Sequence, residues 1–137
     1  MLRAIVAITC FSFLSQTTFA NTLFERPNQD SPLNTMQSMI DIGNSCANES
    51  KENCRYLATL CDLDGDSDVW NICLIGSADE ETKRYVKKFF RSISIGASIE
   101  NAGAALVHFM FKDDKGDWRH EYMKMRLIDG KWFLNSF

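Results

Sequence analysis

Two periods divide the chain. Up to the low nineties, apolar residues recur every three or four positions, the spacing of one helix face; from Ile93 they alternate, the spacing of a half-buried strand. Residues 21–30 are polar, contain Pro27 and are expected to form a flexible arm. Ser31-Pro32 has the form of a helix start, with Ser at the cap and Pro in the first turn. Met36, Met39, Ile40, Gly43, Cys46 and Ala47 then share one face. A break at Asn48 to Ser50 precedes a second helix, capped by Ser50, with Cys54, Leu57, Ala58 and Cys61 on one face. The short connection predicts an antiparallel pair. Residues 62–68 form an acidic loop, and the period of Trp70 to Ile75 decides nothing. Ser77 and Glu80 make a capping-box pattern. The helix after it carries Tyr85, Val86, Phe89 and Phe90 on one side, and its acids precede its cations as the helix dipole favours.

The alternating part predicts four strands, at about 93–99, 103–112, 118–128 and 131–136. Their turns are Asn101 to Gly103, Asp113 to Gly116, and Asp129-Gly130, a hairpin signal. Val107, Phe109 and Phe111 fall on one face, as do Met123, Met125 and Leu127. The opposite face takes His108, His120, Tyr122, Lys124 and Arg126. The expected fold class is α+β, with N-terminal helices packed on a four-stranded antiparallel meander.

The first residues change the picture of where this domain works. Met1-Leu2-Arg3 puts one positive charge before an apolar run from Ala4 to Leu14. A polar stretch from Ser15 to Thr18 leads to Phe19-Ala20-Asn21. That is the order of a secretory signal, with cleavage after Ala20. The run is far shorter than the ~20 residues a membrane span needs. Cys10, preceded by bulky Thr9, belongs to the removed segment. The mature chain, 21–137, is then one domain, periplasmic or secreted, with 31–137 as its folded part. The net charge of −3 becomes one unit more acidic without Arg3. No basic stripe marks a nucleic-acid surface.

Five cysteines become four, Cys46, Cys54, Cys61 and Cys73. An even set in a small exported domain points to disulfides, and the absence of a C-x-x-C pair argues against a metal. If Cys54 and Cys61 share a helix, seven residues separate them by about 10.5 Å, beyond the roughly 7 Å reach of a bridge. Of the two remaining pairings, Cys46–Cys54 with Cys61–Cys73 closes the shorter loops. Each bridge is worth about 2.5–3 kcal/mol in the chain-entropy model.

The stretch from Phe89-Phe90 through SISIGASIENAGAALVHFMFKDDKGDWRHEYMKMRLIDGKWFLNSF resembles the C-terminal half of the nuclear-transport-factor-2-like (cystatin-like α+β cone) superfamily. The resemblance covers under half of the mature chain. It implies a curved sheet wrapped around helices and a pocket. Members include isomerases, dehydratases, ligand binders, protein-binding modules and toxin-immunity proteins, so it implies no single activity.

Asp62-Leu63-Asp64-Gly65-Asp66-Ser67-Asp68-Val69 resembles the opening of a calcium loop, with Asp62, Asp64 and Asp66 as weak candidate ligands. Ser67 stands where that loop needs Gly, and Cys73 where it needs Glu. A solvated or partner-facing acidic loop is the stronger expectation. His108 and His120, the only histidines, share the sheet face turned from the helices, with Glu121 and Tyr122 near them in sequence. That position makes them surface residues rather than an acid–base pair. No G-x-S-x-G, free mature cysteine or phosphate-cradling loop supplies a nucleophile or cofactor site. Met36, Met39, Met110, Met123 and Met125 suit core filling or an adaptable contact.

The expected function is that of an exported, non-enzymatic protein-binding module without cofactor, in its most concrete form an immunity or inhibitor protein against a secreted toxin. Asp62, Asp64, Asp66, Asp68 and Trp70 form the first expected partner surface, favouring a basic partner. His120, Tyr122, Lys124 and Arg126 form the second. A small-molecule or isomerase-like pocket of the cone fold is the alternative, and a structural envelope component the next.

Overall fold

The structure, a computed structural model, describes residues 24–48 and 51–137. Among the described residues, four complete α-helices precede four strands: α1 Pro32–Asn48, α2 Cys54–Ala58, α3 Ser67–Cys73 and α4 Glu80–Ser92, then β1 Ser94–Asn101, β2 Ala104–Lys112, β3 Trp118–Ile128 and β4 Lys131–Ser136. The strands form one antiparallel sheet in sequence order. The α+β architecture with a four-stranded meander is as expected, and the middle strands begin and end within a residue of their predicted limits. The expected signal segment and the expected Ser50 cap lie outside the described residues.

Local chemistry explains the helices. Ser31 Oγ accepts from Asn34 N at 3.1 Å, and Pro32 opens α1 without a lost donor. The buried face of α1 is Met36, Met39, Ile42, Gly43 and Cys46, so Ile42 rather than Ile40 lies at its centre. The undecided 70–75 segment is mostly helical. Asp66 caps α3 by accepting from Asp68 N and Val69 N, and buries Val69, Ile72 and Cys73. The cap of α4 is Asp79, which accepts from Thr82 N at 2.8 Å, and not Ser77, which ends a 3₁₀ turn.

Cys46 pairs with Cys54 and Cys61 with Cys73, with Cα separations of 4.7 and 6.4 Å. The pairing agrees with expectation, but its helical premise does not. α2 stops at Ala58, because the amides of Thr59, Leu60 and Cys61 turn back to carbonyls three residues earlier. Cys61 then lies beside Leu134 as an isolated parallel bridge.

The core lies between the helices and one sheet face. Phe89 meets Phe90, Phe109 and Phe111 edge-on at 5.1–6.0 Å between ring centroids and stacks on Phe137 at 6.5 Å. Met36, Leu57, Val107, Met123, Met125 and Leu134 close the space around them. The space between the helices and the sheet is thus packed with apolar side chains.

The free edge of β4 is covered by segments from the N-terminal half. Trp132 N donates to Gln29 O at 3.0 Å, and Gln29 Nε2 donates to Trp132 O at 2.8 Å. Further along, Leu134 exchanges backbone bonds with Leu60 and Asp62, and Asp66 N donates to Asn135 O. These bonds satisfy an edge that would otherwise template aggregation. The flexible arm expected over 21–30 is therefore anchored at its end, because buried Gln29 makes paired backbone and side-chain bonds to the edge.

Candidate binding surfaces

The acidic loop is built into the structure rather than held out from it. Asp62 is only 2% exposed. Its Oδ1 accepts from Asp64 N at 3.1 Å, and its Oδ2 accepts from Asn135 Nδ2 at 2.9 Å and pairs with Arg126 Nη1 at 3.2 Å. Arg126 also reaches Asp64 Oδ2 at 3.5 Å. Asp66 is engaged in capping α3. Gly65 lets the loop pass this close, since a Cβ there would stand 2.9 Å from the carbonyl oxygens of both Asn135 and Asp62. Trp70 is partly buried against the core.

Two expectations change accordingly. Asp62 is buried, whereas Asp64, Asp66 and Asp68 stay exposed, Asp66 with its Oδ1 spent on the α3 cap and Asp64 within reach of Arg126. The calcium reading loses its donors: the guanidinium of Arg126 sits against Asp62 and Asp64, Asp66 faces backbone amides, and Cys73 is in a disulfide. Among the described residues no group of His, Cys, Asp and Glu is arranged to hold a metal ion.

The outer face of the sheet is the other expected surface, and no element among the described residues packs over it. The register sets His108 opposite Tyr122, Met110 opposite His120, Lys112 opposite Trp118 and Leu106 opposite Lys124, with Ile99 beyond Leu106 on β1. His108 Nε2 and His120 Nδ1 are 3.2 Å apart, and the rings stack with centroids 5.3 Å apart. Tyr122 leans on His108 at 5.3 Å, and Lys112 Nζ lies 5.2 Å from the centre of the Trp118 ring. Gly96, in a β1 irregularity between Ile95 and Ser98, makes room for this cluster; a Cβ there would stand 2.5 Å from His108 Nδ1.

The outward positions of β2 and β3 therefore carry aromatics, aliphatics, two histidines and the cations Lys112, Lys124 and Arg126, with no carboxylate. Ile99, Leu106, Trp118 and Tyr122 are 69%, 40%, 53% and 54% exposed. Of these, Ile99, Leu106 and Trp118 were not in the expected site. Their signal was present in the sequence: β2 and β3 have apolar residues on both parities, which a strand with one solvated face does not need. Leu63, 88% exposed between Asp62 and Asp64, was also missed.

No family model and no curated relative matches the chain. Among solved structures it is similar to a SEC-C motif containing protein from Rhodopseudomonas palustris, with a TM-score of 0.51 and 17% identity over 84% of each chain. It is also similar to a Campylobacter jejuni protein described as an NTF2-like transpeptidase, with a TM-score of 0.48 and 13% identity over 78% of this chain and 98% of that one. The first likeness concerns the fold alone. No helix among the described residues is long and apolar enough to cross a membrane.

Proposed function

We propose that this is an exported, non-catalytic binding module that docks an acidic partner protein on the outer face of its sheet. The observation that supports this is that Ile99, Leu106, Trp118 and Tyr122 are all exposed on one face of a hydrogen-bonded sheet, Ile99 paired with Leu106 and the two aromatics flanking His120 on β3. Large, rigid aromatic anchors surrounded by polar groups are what binding hot spots are made of. The cations on that face favour a partner with acidic groups around an apolar centre, and Arg126, half committed to Asp62, contributes least. An acidic partner is preferred to the basic one expected from the sequence because Arg126 already meets Asp62 and Asp64 within the chain.

The disulfides and the signal-like first residues support a periplasmic or secreted site of action. An immunity or inhibitor role against a secreted toxin is the most concrete form of the proposal. The test is quantitative affinity purification of the tagged protein from its native envelope, comparing three forms. A stoichiometric partner held by the wild type and by Asp64→Ala/Asp68→Ala, but lost from Trp118→Ala/Tyr122→Ala, is the expected result. Loss from the aspartate variant with retention by the aromatic variant returns the site to the acidic loop.

A further inference from the structure

A second site lies on the helical side, away from the sheet face. A cavity of about 260 Å³ opens between α1, α4 and the 3₁₀ turn at Ile75–Ser77. Its apolar lining includes the Cys46–Cys54 disulfide, Val86 and Phe90, and the last two are buried at the base of α4. Among the described residues, its other lining includes four cations, Lys51, Lys83, Arg84 and Lys87, against one carboxylate, Glu80. Glu80 is already paired, accepting from Lys83 Nζ at 3.0 Å. Lys51, Arg84 and Lys87 form no ion pair among the described residues. This local excess of positive charge stands on a chain whose net charge is −3.

The Glu80 carboxyl reports that field. It is held below the ordinary carboxylate range, first by the Lys83 hydrogen bond and charge, then by the charges of Lys51 and Arg84. An apolar floor under a cationic rim selects a ligand with one anionic end and one apolar end. The volume falls below the ~300–1,000 Å³ of pockets for drug-sized ligands, so the occupant is small.

We infer that this cavity binds a small amphiphilic anion, a medium-chain or aryl carboxylate, with its apolar body on the Cys46–Cys54 disulfide and Phe90 and its anionic group between Arg84 and Lys87. This site is independent of the proposed docking face. It also differs from the pocket that the cone fold implies, because the space between sheet and helices is filled by the phenylalanine cluster.

Calorimetric titration of the oxidised protein with octanoate, 1-octanol and octylamine tests the inference. Octanoate is expected to saturate one site, with the neutral and cationic analogues at least about tenfold weaker, the consequence of losing a charge-assisted contact. Arg84→Glu/Lys87→Glu should weaken octanoate by about tenfold or more at an unchanged melting temperature. In spectra of the wild-type protein, octanoate should move the amides of Gly43, Gly76 and Phe90. Equal affinity for octanol, no saturable octanoate binding, or shifts confined to the outer sheet face would each overturn it. The analogue series needs no variant, so the result does not depend on a substituted protein folding.

Discussion

The acidic loop and the outer sheet face are the two regions that charge and alternation mark as partner-facing, and tertiary structure treats them oppositely. The loop has the denser charge, yet two of its carboxylates are engaged by the chain's own groups. Asp62 joins Arg126, Asn135 and its own backbone, while Asp66 caps α3. The sheet face has the weaker sequence signal, yet nothing in the described chain covers Trp118, Tyr122, Leu106 or Ile99. The physical reason is that a carboxylate near unsatisfied amides or a guanidinium gains from turning inward. An aromatic ring on the far side of a sheet from the helices has no such partner.

The largest effect should come from freeing the loop covalently. Replacing Cys61 and Cys73 together with serine removes the bridge that holds α3 beside the β4 edge. Urea denaturation should show a loss of about 3 kcal/mol. If the loss were near zero, the loop would not depend on its staple.

Next in size is Asp62→Ala, which strips Arg126 and Asn135 of their shared acceptor. The cost should be about 2 kcal/mol, less than for a fully buried pair because Arg126 stays half in solvent. Asp66→Ala should cost about 1 kcal/mol through the lost α3 cap, against little for Asp68→Ala. Equal effects at Asp66 and Asp68 would erase the distinction between capping and non-capping carboxylates.

On the sheet face the pattern should invert. Tyr122→Ala should change stability by no more than about 0.5 kcal/mol while weakening the partner by about tenfold or more. Association should also slow as salt rises, since the face is cationic.

The smallest effect is on pH. The Asp79 carboxylate is held below its ordinary range by the hydrogen bonds from Thr82, its backbone amide foremost. A carboxylate depressed in the folded state stabilises fully above its unfolded value and loses that contribution as pH falls through the folded one. Thermal melts of the wild type should thus drop more steeply than those of Asp79→Asn across the acid range. Parallel curves would mean that the cap carries no pH dependence.

Much of this was legible in the sequence because it is local. A period change at Ile93, an Asp-Gly turn and a Ser-Pro start act over a few residues, so the strands, their faces and α1 followed directly. The cysteine pairing was also legible, though through the wrong premise. Cys61 leaves the helix to meet β4, a contact between residues 73 apart in sequence. Which aspartates are free, where Arg126 points, what covers the β4 edge and where the cationic cavity opens all depend on such distant contacts. Alternation states which side of a strand a residue is on. Only the assembled fold decides whether anything lies against that side, because burial belongs to the neighbours as much as to the residue.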